Sequence, residues 1–90
     1  MDPVTNVVTM TQVDLAGTAF PNPTSDMLFI DILPEVESIA IFNASGQRVQ
    51  TIRTSREGRH TLDLSALPAG SYTLLAISQS SVHTQHILKQ

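Results

Sequence analysis

Three histidines, eight carboxylates, four arginines and nineteen Ser and Thr hydroxyls are the groups in this 90-residue chain that could carry chemistry. Nucleophilic catalysis needs a hydroxyl held against a base, with a third group orienting that base. Hydroxyls and imidazoles are plentiful here, but no Gly-x-Ser-x-Gly turn lifts a serine above a sheet. His83 and His86 are three apart, which shares a face on a helix and splits across two faces on a strand. Val82 to Lys89 reads as a strand, so a metal shared by these two histidines is not expected. His60 reads as a solvated strand end. Asp31, Glu35 and Glu37 gather around Pro34 without the regular oxygen-ligand spacing of a calcium loop, and read as a solvated turn. Arg48, Arg53, Arg56 and Arg59 could form an anion patch, yet no aromatic is interleaved to stack a base. Asn43-Ala44-Ser45 matches a glycosylation sequon, and turn geometry before Gly46 explains the same residues equally well. There is no cysteine, which removes disulfides, thiolate metal sites and cysteine nucleophiles together. These residues assign no catalytic group, no metal and no cofactor, and the expectation is a protein that is not an enzyme.

The elements that would position such residues are short strands. One domain of this length has a single core and little room for an enclosed cleft. Val, Ile and Thr together make 24 residues, a β-branched excess that suits pleated, half-buried surfaces. Charged residues are only 14% of the chain, and Ser and Thr cover the surface instead. Turn signals recur at Pro21-Asn22-Pro23, Pro34-Glu35, Asn43 to Gly46, Glu57-Gly58, Pro68-Ala69-Gly70 and Ser78 to Ser81. Between them lie seven candidate strands: Val4 to Val13, Met27 to Ile32, Ser38 to Phe42, Gln47 to Thr54, His60 to Leu64, Ser71 to Ser78 and Val82 to Lys89. In the second, Leu28, Ile30 and Ile32 share one face. In the fourth, Val49 and Ile52 fall on opposite faces unless a bulge intervenes, which marks an irregular or edge strand. Leu64 to Leu67 could form one helical turn, and Pro68 would stop it. The fold class expected is all-β, a seven-stranded antiparallel immunoglobulin-like β-sandwich. The net charge of −3 gives no general attraction for nucleic acid or anionic lipid. No stretch approaches the roughly 20 apolar residues that span a bilayer, so direct membrane insertion is not expected. The start, Met1-Asp2-Pro3, lacks the basic region of a signal peptide.

Four pieces then follow one another in a fixed order. Phe20-Pro21-Asn22-Pro23-Thr24-Ser25-Asp26 precedes Met27 to Ile32; Ile39 to Val49 makes a strand, turn and strand through Asn43-Ala44-Ser45-Gly46; Leu62 to Leu74 carries Leu67-Pro68-Ala69-Gly70-Ser71-Tyr72; Ile87-Leu88-Lys89-Gln90 closes the chain. In this order they resemble the C-terminal sorting domain, type A, of cargo proteins of the type IX (Por) secretion system of Bacteroidetes. The resemblance runs from about Phe20 to Gln90. It implies a seven-stranded immunoglobulin-like domain that follows a larger, covalently linked N-terminal cargo domain. Its implied partners are the outer-membrane translocon, which exports the cargo, and a surface sortase, which cuts just upstream of the domain. The implied location is secreted or cell-surface, reached through the periplasm. The family's recognition features fall on Pro21, Asn22, Pro23, Gly46, Gly70, Tyr72 and Lys89. His86 stands where the family commonly has a lysine, a departure that implies either weaker engagement of the translocon or a pH-sensitive contact. Residues 1–19 would hold a first strand and the linker, and residues 20–90 the sorting domain, the whole being one domain. Recognition would then use an exposed edge and the terminal strand, by strand addition. The alternative is an accessory adhesion or carbohydrate-binding module; against it, Phe20, Phe29, Phe42 and Tyr72 fall mostly at core-like positions.

Overall fold

The computed structural model describes residues 11–12, 14–54 and 57–90, and every regular element in it is extended. The elements are β1 (Thr11–Gln12), β2 (Met27–Ile32), β3 (Ser38–Asn43), β4 (Arg48–Arg53), β5 (Gly58–Asp63), β6 (Gly70–Ile77) and β7 (Ser81–Lys89). Among the described residues β1 has two residues, and six strands of ordinary length carry the fold where seven were expected. Nor is the pairing wholly antiparallel: Thr11 lies beside Ser81 and Gln12 beside Val82 in a parallel pair. A parallel pair needs a long connection, and the chain supplies it by crossing to the other sheet between β1 and β7. The rest of the expected strand Val4 to Val13 lies outside the described residues.

A five-stranded sheet runs in the order β1-β7-β6-β3-β4, and β2 pairs with β5 in a second sheet. Sequence alternation accounts for which faces meet. In β6 the buried residues Tyr72, Leu74 and Ala76 alternate with half-buried Thr73, Leu75 and Ile77. In β2, Leu28, Ile30 and Ile32 point inward, and Leu62 of β5 faces them from the same side. These residues join Ile39, Ile41, Leu64, Leu74 and Ile87 in one core shared by both sheets. Leu64 to Leu67 closes as a turn, with the Leu67 amide donating to Leu64 O at 3.0 Å, and no helix forms among the described residues.

The fourth strand is both an edge and irregular, as the spacing of Val49 and Ile52 requires. The register jumps from Ile41 opposite Gln50 to Phe42 opposite Arg48, so Val49 is the extra residue of a β-bulge. Ile52 packs on the core, while Val49 is exposed.

Candidate functional site

The last strand would present an open row of backbone groups if nothing lay beside it. Residues 14–24 form a strap that closes it. The strap first follows β2: Leu15 O accepts from Leu33 N, the Gly17 amide donates to Asp31 O, and Phe20 exchanges both backbone hydrogen bonds with Phe29 at 2.9 and 2.7 Å. Leu15 and Ala19 are buried in the shared core. The strap then passes to β7. Asn22 Nδ2 donates to His86 O at 2.9 Å and its Oδ1 accepts from Leu88 N at 3.0 Å. One side-chain amide thus does what the peptide group of a neighbouring strand would do. Two residues later the backbone takes over, with the Thr24 amide donating to Leu88 O at 2.9 Å and Thr24 O accepting from Gln90 N at 2.8 Å. Thr24 is only 1% exposed, and its hydroxyl donates to Met27 O at 2.6 Å.

Pro21 and Pro23 flank Asn22 and carry no N–H that would need a partner at this junction. Both the Phe20-Pro21 and Asn22-Pro23 peptides are cis. Among the other expected recognition positions, Gly70 pairs with Lys89 and Tyr72 with Ile87 across β6 and β7. The buried Tyr72 donates its hydroxyl to Pro68 O, four residues upstream. Gly46 sits in the β3–β4 turn at φ 86°, a backbone region that costs glycine little. Its amide donates to Asn43 O, while Asn43 Oδ1 accepts from the amides of Ser45 and Gln47, both at 3.0 Å. The sequon asparagine is therefore an Asx-turn residue here. Ala44 of this turn lines an open depression together with Asn22, Ser71, Thr73, His86 and Leu88. Pro21, Asn22, Pro23, Gly70, Tyr72 and Lys89 gather around the C-terminal half of β7, and the Gly46 turn borders them.

Two expectations need correction, and one expected recognition residue is buried. The terminal strand is not an open edge, because β1 covers its start and Asn22 with Thr24 covers its end. Lys89 is not displayed: alternation puts it on the inward face with Ile87, and it is 8% exposed, with Nζ donating to Gln90 O at 3.4 Å. Phe20, Phe29 and Phe42 are not core residues, since period-2 alternation spends the inward positions on Leu and Ile. Phe20 is exposed and Phe29 half-buried, their ring centroids 5.7 Å apart. The Arg59 guanidinium lies 4.9 Å above the Phe20 ring and covers one face of it.

The expected charge clusters are dispersed. Arg48 and Arg53 stand at opposite ends of β4, roughly 17 Å apart at strand rise. Arg59 makes a two-pronged ion pair with Asp31 at 2.9 and 3.1 Å, and Arg56 lies outside the described residues. The hydrogen bond from Arg59 holds the Asp31 carboxyl below the usual carboxylate range, and Asp31 raises Arg59 in turn. Hydrogen bonds from Ser65 lower Asp63 likewise. Glu35 and Glu37 are exposed. Among the described residues no three His, Asp or Glu come together to hold a metal ion. His83 and His86 do split across the faces of β7, His83 half-buried and His86 exposed. Sequence reasoning missed Thr24 and Gln85. The Gln85 amide ties β7 to the strap, and its inward parity with Ile87 was the available signal.

A family described as the secretion system C-terminal sorting domain matches residues 18–90. No curated protein matches the chain. A solved structure, that of the sulfur carrier protein SoxY from Chlorobium limicola f thiosulfatophilum, is similar in fold at TM-score 0.55 and 7% identity, covering 92% of this chain and 86% of the other.

Proposed function

The chain belongs to the family of secretion system C-terminal sorting domains, and from that membership we propose that it directs an N-terminal cargo domain through the type IX secretion machinery to the cell surface or the medium. The observation that carries the reading is the family match over residues 18–90, which contains the terminal strand and the part of the strap, from Pro21 to Thr24, that closes its C-terminal end. The domain is read as a folded address and has no catalytic role. Its direct partners in this reading are the outer-membrane translocon and, after export, a surface sortase that cuts upstream of the strap. Nucleic acid and direct membrane insertion have no part in it.

Because β7 is already paired on both sides at its C-terminal end, recognition by simple strand addition would first have to displace the strap. We favour recognition of the outward side chains of the sealed end, His86 and Leu88 with Ser71 and Thr73 beside them. Leu88 is 45% exposed, a large apolar side chain in a polar surround, which is the composition of an interface anchor. The immunoglobulin-like arrangement is likewise proposed. It is supported by the Tyr72 hydroxyl reaching back to Pro68 O, the tyrosine corner of such sandwiches.

The test is export of a cargo carrying Leu88→Asp, a change on an exposed strand face. The expected result is a folded domain with its cargo held in the periplasm. Normal export would reject Leu88 as part of the recognised surface.

A further inference from the structure

The Gln85 side chain of β7 grips the strap ahead of Asn22. Its Oε1 accepts from the Ala19 amide at 2.8 Å, and its Nε2 donates to Gly17 O at 2.7 Å. A backbone N–H on one side and a carbonyl on the other leave only one orientation for this amide. The same Nε2 lies 2.8 Å from His83 Nε2, and in this orientation the amide nitrogen can only donate to the ring. An N–H cannot donate to another N–H, so His83 Nε2 must present its lone pair. The ring is then neutral, with its proton on Nδ1.

We propose that His83 and Gln85 form a proton-sensitive latch that fastens the strap to β7, closed while His83 is neutral and weakened when the ring takes a second proton. A proton on Nε2 would set donor against donor. If the Gln85 amide turned over to offer Oε1 to the ring, Nε2 would face the Ala19 amide, and the bond holding Ala19 would be lost. The charged group set against the ring among the described residues is Asp14 of the strap, with Oδ1 3.9 Å from Nδ1 and its side chain fully exposed. Asp14 attracts an imidazolium through solvent but does nothing for the bond at Nε2. From β6, Ala76 and Leu74 stand opposite His83 and Gln85, and neither titrates. Imidazoles take up a proton between roughly pH 5 and 8. The latch goes beyond the sorting reading and does not depend on it.

Nuclear magnetic resonance on the 90-residue chain tests the latch. At pH 8 the His83 ring nitrogens should report the Nδ1–H tautomer. From pH 8 to 5 the exchange protection of the Ala19 amide, relative to the core amide of Leu74, should fall about fivefold, the factor for the net worth of one hydrogen bond. His83→Gln keeps an acceptor for Gln85 at every pH and should abolish the dependence. An Nε2–H tautomer in the native chain, or Ala19 protection that does not vary with pH relative to Leu74, would overturn the proposal. The tautomer measurement needs no variant and stands even if a substitution unfolds the domain.

Discussion

Asn22 fastens the end of β7 with a single side chain, accepting from Leu88 N and donating to His86 O. Asn22→Ala removes both bonds but leaves their partners open to water, so the loss should be about 1–2 kcal/mol. A urea titration should show a lower midpoint with an unchanged slope. Asn22→Asp keeps the acceptor and loses the donor, and should fall between. Tyr72→Phe deletes the hydroxyl bond to Pro68 O at a buried site and should cost about 1 kcal/mol. The Asp31–Arg59 pair has a pH signature. Asp31 is lowered in the folded chain by its hydrogen bond from Arg59. Its stabilisation is therefore present above the unfolded carboxylate value, near ~3.9, and is lost as pH falls through the lower folded value. Asp31→Asn should flatten the acid limb of a stability-versus-pH curve below about pH 4 and leave the neutral limb unchanged. Both side chains are more than half exposed, so the effect is small and screened by salt.

Elements differ in what a substitution can do to them. Leu74 in β6 is fully buried where the two sheets meet, and Leu74→Ala should cost about 2–5 kcal/mol. Val49 is the exposed bulge residue of an edge strand, and Val49→Thr should change stability by less than about 0.5 kcal/mol. The same unfolding titration reads both. Much of this element plan was legible beforehand. The alternation in Met27 to Ile32 and in Ser71 to Ser78 named the inward residues, and the offset of Val49 from Ile52 announced the bulge. The strap was not legible, for a physical reason. It joins residues 64 to 68 apart in sequence through two side-chain amides, Asn22 and Gln85, and such contacts leave no periodic trace. Nor does composition reveal that Thr11 and Gln12 pair in parallel. The burial of Lys89 follows from its parity with Ile87.

At the scale of the molecule, the strap makes the domain's first described residues and its last strand one structural unit. Leu15 and Ala19 enter the core, and Asn22 and Thr24 close the edge of the strand that carries His86, Leu88 and Lys89. A sorting signal built this way is a folded surface, and any change that unseats the strap alters it without touching the terminal residues. The central claim is that this folded unit suffices as an address. Its most direct measurement is the location of a periplasmic reporter carrying the full 90-residue chain at its C-terminus, in a cell with a working type IX machinery. The reporter should reach the cell surface or the medium, and less of it should do so when Asn22→Ala loosens the strap. A reporter that folds but stays in the periplasm would contradict it.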